Sequence, residues 1–187
     1  MNLLRTKGLW KGATPIDTYR EIMGVPLPVV WQTLCPEHSA QQHEEANQHF
    51  QQALIDMIKS GRGALYEEVI ETLRELSTLY DLHIASNGNL PYLEAIVSTY
   101  QLDRFLSTTN SIDRIATGNK SELVASVLHA AGASSGYVVG DRLSDIRAAQ
   151  DNGLTSIGVR FDFAQEEELA QADHVVESFS ELHTLLL

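Results

Sequence analysis

The stretch YVVGDRLSDIRAAQDNG, Tyr137 to Gly153, decides the fold. Its first four residues predict a short buried strand, and the pattern that follows predicts a helix over about Ser144 to Gln150, ended by a turn at Asp-Asn-Gly. Asp141 stands at the exit of the strand, and Asp145 follows one helical turn later on the same side. Two carboxylates so close repel each other unless a cation lies beside them, and an all-oxygen site suits Mg²⁺.

A purely structural interpretation of the same stretch remains open. Asp141 or Ser144 would then be the N-cap of the helix, and Asp145 would be a favourable acid in its first turn. This interpretation explains one aspartate well and both only partly.

The sequence on either side of this stretch alternates short apolar strands with helices. The predicted strands are 82–86, 104–108, 137–140, 154–159 and 174–177. The predicted helices are 66–80, 90–100, 121–131, 144–150 and a last one at the C-terminus. This alternation predicts an α/β fold, a Rossmann-like parallel sheet with helices on both faces, in which ligands bind at the carboxyl ends of the strands.

The first third of the chain has a different pattern. Thr14, Pro15 and Asp17 predict a short helix that ends near Gly24, and VPLPVVW (25–31) predicts a turn or a short extended piece. A long amphipathic helix is predicted over 39–59. Its apolar face contains Ala46, Phe50, Leu54, Met57 and Ile58. We therefore expect a small helical domain over 1–62 and an α/β core over 63–187.

Composition limits the possible partners. The 187 residues are 43% hydrophobic, enough for a sizeable core, and the formal net charge of -12 repels nucleic acids and anionic membranes. The sequence contains neither an apolar run long enough to span a bilayer nor the apolar middle of a signal peptide, so we expect a cytoplasmic protein. The single cysteine, Cys35, excludes an internal disulfide.

Two other strand-to-helix loops carry polar residues. In ASNGNLPY (85–92), Ser86, Asn87 and the backbone N–H groups around Gly88 converge at a helix start, which can bind an anion. In TGNKSEL (117–123), Lys120 lies at a helix start, where its charge works against the helix dipole but would complement a phosphate. The alternatives are an ordinary turn with a capping residue in the first loop and an exposed lysine in the second.

The order of these loops, Ser-Asn, then Lys, then GDRLSD, resembles the haloacid dehalogenase (HAD) superfamily, specifically its phosphoglycolate phosphatase-like members with a helical cap. The resemblance extends from Ala64 to the C-terminus, and the helical region before Ser60 resembles part of the cap. It implies that residues 1–62 are a partial cap domain and that 63–187 are the HAD-like core.

The resemblance also implies a role for each residue in the three loops. Ser86, with Asn87 and Gly88 beside it, would bind the transferring phosphoryl group, and Lys120 would neutralise the phosphate. Asp141 would bind Mg²⁺ directly, and Asp145 would support the metal.

The family's first motif, an apolar strand that ends in Asp-x-Asp, is not found in this sequence. In the family, its first aspartate forms a covalent aspartyl-phosphate and its second is the general acid and base. The only nearby acid, Asp17, begins Asp-Thr-Tyr on a predicted helix and does not fit. The resemblance places the missing strand in the middle of the sheet, between the strands that end at Ser86 and Asp141. We therefore expect an N-terminally shortened chain or, alternatively, a degenerate protein that restores its sheet by strand swapping or dimerisation.

The expected function is that of a magnesium-dependent phosphatase acting on a small phosphorylated metabolite through an aspartyl-phosphate. A catalytically inactive protein that binds phosphate is the alternative, and a phosphomutase of the same fold is the third possibility; a dehalogenase would give Asp141 no purpose. The expected partners are a small phosphorylated substrate and no nucleic acid or membrane, and the chain is expected to be a monomer or a homodimer.

Overall fold

The computed structural model describes residues 2–8, 10–22, 25–162 and 164–187. The helices are α1 (Asn2–Thr6), α2 (Ile16–Glu21), α3 (Leu27–Leu34), α4 (Ala40–Lys59), α5 (Val69–Leu76), α6 (Leu90–Thr99), α7 (Lys120–Ala131), α8 (Leu143–Asp151), α9 (Glu166–Leu169) and α10 (Phe179–Leu186). The strands are β1 (His83–Ser86), β2 (Thr108–Ser111), β3 (Tyr137–Gly140), β4 (Thr155–Val159) and β5 (His174–Val176). None of the helices described is long and apolar enough to cross a membrane.

Every strand pairing is parallel. One sheet has the order β3-β4-β5, with Tyr137 opposite Thr155 and Ile157 opposite His174, and the other consists of β1 and β2. The first sheet packs on one side against an apolar cluster that includes Leu76, Ile157 and Leu182, so α5 and α10 cover it. The Rossmann-like α/β fold predicted from the alternation of strands and helices is confirmed.

The two sheets lie side by side on a shared layer of helices. The strands β1 and β3 contribute Ala85 and Val138 to one apolar cluster with Val124 of α7 and Ala148 of α8, although β1 and β3 belong to separate sheets. β3 is thus left as an edge strand. On one face of β3 two large apolar side chains are exposed, Tyr137 at 46% and Val139 at 40%. The separation lies where the resemblance implies one further strand.

The N-terminal helices form an apolar cluster of their own. It contains the buried residues Leu4, Val30, Trp31, Leu34, Cys35 and Ala46. α4 begins with a capping box, in which the Ser39 hydroxyl accepts a hydrogen bond from the Gln42 N–H and the Gln42 side chain accepts one from the Ser39 N–H. This cap satisfies two of the N–H groups that have no partner inside the helix.

Several predicted elements differ in detail. Of residues 25–31, predicted as a turn or a short extended piece, 27–31 belong to α3 and only 25–26 precede it. The helix tolerates Pro28 because this residue lies in its first turn, where a missing N–H breaks no intrahelical bond. The predicted helix over 66–80 is shorter, Val69–Leu76. α1 was not predicted, and Met57 of α4 is 44% exposed rather than part of the apolar face. The short helix predicted after Thr14 is α2, which ends at Glu21, and its predicted end near Gly24 lies outside the described residues.

The strand predicted at 104–108 is wrong. Arg104 ends a short 3-10 turn, and the strand is instead the polar segment Thr108–Ser111. Asn110 of this strand is buried, but its side chain donates to the Ile84 carbonyl at 3.1 Å and accepts from Arg114 at 2.6 Å. A strand whose buried side chains are polar and hydrogen-bonded lacks the apolar pattern by which a strand is recognised in a sequence.

Candidate active site

A cavity of about 270 Å³ lies between the N-terminal helices and the carboxyl ends of β1 and β3. The structure brings all six predicted site residues to its wall: Ser86, Asn87, Gly88, Lys120, Asp141 and Asp145. They come from three different loops, and the parallel direction of the strands places all three at the same edge.

The loop after β1 is held in shape by hydrogen bonds within it and from β2. The Ser86 Oγ accepts from the Gly88 N–H at 3.1 Å, and the Asn89 Oδ1 caps α6 by accepting from the Tyr92 N–H at 3.0 Å. The fully buried Ser111 donates its hydroxyl to the Gly88 carbonyl at 2.7 Å. Asn89 is thus a structural cap, as the alternative interpretation of this loop had it, whereas Ser86 keeps a hydroxyl hydrogen that can be donated to an anion in the cavity.

Lys120 is the first residue of α7, and its ammonium group forms an ion pair with the carboxylate of Asp145. The two side chains are only 13% and 9% exposed. The ion pair compensates for a cation at a helix N-terminus, where the dipole disfavours positive charge. Lys120 is therefore not an exposed lysine, and its charge is held inside the cavity.

Asp145 is fixed by a second contact. Its Oδ2 accepts a hydrogen bond from the Arg142 N–H at 3.1 Å, and it is Arg142, not Asp141 or Ser144, that occupies the N-cap position of α8. The predicted caps are therefore wrong, because the carboxylate one turn into the helix reaches back to the N-cap backbone. The Asp145 carboxylate thus accepts a hydrogen bond at the start of α8 and also forms the ion pair with Lys120.

Asp141 has a different electrostatic environment. Burial raises the pKa of its carboxyl group, and the nearby charge of Asp145 raises it further, while Arg142 and Lys120 act in the opposite direction. The charged form of Asp141 is thus unfavourable in this cavity. A cation placed beside it would offset that cost.

The chemistry of these donors fits Mg²⁺. Across residues 2–8, 10–22, 25–162 and 164–187, no group of three or more His, Cys, Asp or Glu side chains is arranged to hold a metal ion. Mg²⁺ needs less than this from a protein, because it keeps several waters and is commonly held by one or two carboxylates together with substrate phosphate oxygens. Asp141 is suited to direct coordination, and Asp145, already paired with Lys120, to support from farther away.

Two features of the site were not predicted. Gly140 is required for the approach of Asp145, because a Cβ on Gly140 would come within 2.2 Å of the Asp145 Cγ. Arg142 forms an ion pair with Glu168 of α9 through its Nε at 3.0 Å, and Glu168 also accepts from the Leu143 N–H at 2.8 Å. The run of acids at 166–168 suggests a solvated helix start, but Glu168 instead makes these two contacts with the start of α8. The glycine before Asp141 was visible in the sequence, but no local signal joined residues 142 and 168.

Comparison with known proteins supports the resemblance. Residues 118–182 match the model of the HAD-hydrolase-like family. This match contains Lys120, Asp141 and Asp145, and it confirms the resemblance to HAD-like hydrolases over this part of the chain. A search of curated protein sequences finds no significant match.

Solved structures similar to this chain include HAD-type proteins and phosphatases. A putative phosphatase from Clostridium difficile is 23% identical, with a TM-score of 0.77 over 98% of this chain and 86% of its own. CbbY from Rhodobacter sphaeroides in complex with phosphate is 17% identical, with a TM-score of 0.81 over 97% and 85%. A predicted phosphoglycolate phosphatase from Haemophilus somnus 129pt is 17% identical, with a TM-score of 0.81 over 100% and 88%. At these identities the likeness establishes the fold.

Proposed function

We propose that this chain forms most of the active site of a magnesium-dependent phosphatase that hydrolyses a small phosphorylated metabolite. The observation that supports this most is the convergence of Ser86, Lys120, Asp141 and Asp145 on one cavity at the carboxyl edge of two parallel sheets. A hydroxyl, an ammonium group held by one carboxylate, and a second carboxylate for a metal ion are groups that hold and polarise a phosphoryl group.

Each residue has a role in this proposal. The Ser86 hydroxyl and the backbone around Gly88 bind phosphate oxygens, and Asn87 lies beside them. Lys120, fixed by Asp145, places a positive charge against the phosphate. Asp141 coordinates Mg²⁺, which when bound draws negative charge from the phosphate oxygens.

The reaction also needs an acid nucleophile. The acids that line the cavity, Asp141 and Asp145, are assigned to the metal and to the ion pair with Lys120. We propose that the nucleophile is carried by an apolar strand from outside this sequence that inserts between β1 and β3. The shared helix layer and the open edges of β1 and β3 support this position, because an inserted strand would pair with the backbone groups along both edges.

The absence of an Asp-x-Asp motif from the sequence supports a second candidate function, that of a protein that binds a phosphorylated ligand without hydrolysing it. The chain without a further strand would bind Mg²⁺ and a phosphorylated ligand weakly and not turn the ligand over. It would then be a binding or regulatory protein. A phosphomutase would need the same nucleophile.

We propose a small phosphorylated molecule as the only partner besides the inserted strand, and a cytoplasmic location. The surplus of 12 negative charges over positive ones supports this, since it disfavours nucleic acids and anionic lipids. The chain would be monomeric when the strand precedes it in the same polypeptide, and dimeric when a second copy supplies the strand.

The deciding experiment compares two forms of the protein in hydrolysis of p-nitrophenyl phosphate with Mg²⁺. One is the chain of 187 residues, and the other is preceded by an apolar strand that ends in Asp-x-Asp. A third form with Asn in place of the first Asp is the matched control. We expect turnover from the Asp form alone, and loss of turnover when Mg²⁺ is chelated.

Other outcomes separate the candidates. Robust turnover by the 187-residue chain would place the nucleophile among its own residues. If all forms bind phosphate with Mg²⁺ but none is active, the binding protein is the correct description. If none binds phosphate, the assignment of the cavity itself is wrong.

A further inference from the structure

The wall of the cavity formed by the N-terminal helices is apolar and aromatic. Tyr19 of α2 and Phe50 of α4 form an edge-to-face ring pair with centroids 6.3 Å apart, and Phe50 makes a similar contact with Trp31 of α3 at 5.8 Å. The aliphatic side chains on this wall are Val25, Leu27, Val30 and Leu54. The ring contacts hold this wall in shape, so it presents a preformed apolar surface to a ligand.

The polar groups facing this part of the cavity are neutral. They are the Gln51 amide and the phenols of Tyr19 and Tyr92, and burial raises the pKa of both tyrosines, so the phenols stay protonated at neutral pH. Among the described residues of 1–62, no lysine, arginine or histidine lines the cavity. The residues of 1–62 that the structure does not describe also have no charged side chains; they are Met1, Leu9, Met23 and Gly24.

The cations that line the cavity, Lys120 and Arg142, come from the core, and each is already paired with a carboxylate. Lys120 is paired with Asp145 and Arg142 with Glu168, and both pairs belong to the core. A carboxylate or a second phosphate on the ligand, placed against the N-terminal helices, would lose its water and meet only cations whose charge is already offset by Asp145 or Glu168. Burial of an unpaired charge is strongly unfavourable.

We propose that the substrate is the phosphate monoester of a small uncharged alcohol with an aromatic or branched aliphatic body, and that the N-terminal helices select against a second anion. This proposal rests on the proposed function, because it takes the charged end of the cavity as the phosphate site. The cavity, about 270 Å³, is smaller than the roughly 300–1,000 Å³ of most ligand pockets, which agrees with a small substrate.

Phosphonates test this without any need for turnover, because their P–C bond is not hydrolysed. Titration calorimetry of the 187-residue chain with Mg²⁺ would compare benzylphosphonate, phosphonoacetate and inorganic phosphate. We expect benzylphosphonate to bind about tenfold more tightly than phosphate, since the ring is buried against apolar side chains. Phosphonoacetate should bind no more tightly than phosphate.

Two glutamines of α4 provide a matched pair of variants. Gln51 lines the cavity, whereas the exposed Gln52 donates to Asp56 at 2.9 Å. Gln51→Arg should make phosphonoacetate bind more tightly than benzylphosphonate, and Gln52→Arg should leave the wild-type order unchanged.

The outcomes separate this inference from the function on which it rests. If phosphate binds with Mg²⁺ but phosphonoacetate binds the wild-type chain as tightly as benzylphosphonate or more so, the substrate class is wrong and the phosphate site stands. If none of the three ligands binds, the phosphate site is wrong and the substrate class falls with it.

Discussion

Asp141 is the residue on which the metal assignment depends. Its burial and the charge of Asp145 raise its pKa, so the native protein holds a proton there more readily than the unfolded chain does. Ionisation of Asp141 therefore lowers the free energy of unfolding. This loss is absent below the ordinary aspartate pKa, where the carboxyl is protonated in both states, and it grows as the pH rises through the raised pKa of the native protein. A bound cation would remove this cost.

The substitution Asp141→Asn should abolish stabilisation by Mg²⁺. Without metal, the variant should be at least as stable as the wild type at neutral pH, because the unfavourable buried charge is gone, and the difference should shrink as the solution is made acidic. Thermal unfolding with and without Mg²⁺ measures both effects. Asp103→Asn, at an exposed acid outside the cavity, is the control and should keep the wild-type response to Mg²⁺.

Gly140 has a steric rather than a conformational role. Gly140→Ala should destabilise the chain by about 1–3 kcal/mol, because the new Cβ would overlap the Asp145 carboxylate and displace it from Lys120. Urea unfolding measures the loss, and phosphate affinity should fall with it. Val139→Ala, at the neighbouring exposed residue, should change both far less. Equal effects of the two substitutions would contradict the steric role.

At the scale of elements, β2 supports the phosphate loop although it carries none of the predicted site residues. Ser111 donates to the Gly88 carbonyl at 2.7 Å and accepts from the Asp113 N–H at 3.1 Å. This hydroxyl ties the end of β2 to the loop after β1.

Removal of that hydroxyl should loosen the loop. Ser111→Ala leaves two backbone groups without this partner at a fully buried position, at an expected cost of about 1–3 kcal/mol. Urea unfolding would show the cost, and calorimetry with phosphate and Mg²⁺ would show weaker binding. Ser107→Ala, at an exposed serine, is the control. Unchanged phosphate affinity in Ser111→Ala would show that the loop keeps its shape without β2.

Asp173, in the connection into β5, has a carboxylate whose charged form is stabilised by Ser156. Hydrogen bonds from the Ser156 hydroxyl at 2.6 Å and from its N–H at 2.8 Å hold the pKa of Asp173 below its ordinary value. The stabilisation is therefore present above the ordinary carboxyl pKa and is lost as pH falls through the lower native value.

Asp173→Asn should thus be less stable than the wild type at neutral pH, and the two proteins should become more alike in strong acid. Thermal midpoints measured between pH 7 and the acid limit of folding would show the convergence. Glu167→Gln, at an exposed acid of α9, should run parallel to the wild type. A constant difference between Asp173→Asn and the wild type at every pH would contradict the role of the carboxylate charge.

For the whole molecule, the separation of the two sheets should appear in amide hydrogen exchange. β4 lies between two strands and should contain the slowest amides, whereas β1 and β3 each have one edge without a partner strand in the described structure and should exchange partly within the native state. Exchange followed by NMR would test this order. Addition of the strand proposed above should slow exchange in β1 and β3 and leave β4 unchanged, and equal protection of β3 and β4 in the 187-residue chain would show that the gap is closed in solution.

The fold class could be predicted from the sequence because the elements that define it have periodic apolar patterns. The alternation of strands and helices, and the polar residue at each strand exit, were visible locally, and the parallel sheet then required those exits to meet at one edge. β2 and α3 were mispredicted for the opposite reason. β2 consists of polar residues and so lacks the apolar pattern of a strand, and α3 begins between two prolines, which in a sequence indicate a turn or an extended segment.

The sequence by itself determined the α/β fold and the positions of Ser86, Lys120, Asp141 and Asp145 along the chain, since these depend on patterns within a few residues. Only the tertiary structure decided that Lys120 pairs with Asp145, that Gly140 gives Asp145 its room and that neutral side chains form the opposite wall. These depend on contacts between residues far apart in the chain, and no local preference of a residue specifies which distant side chain it will meet.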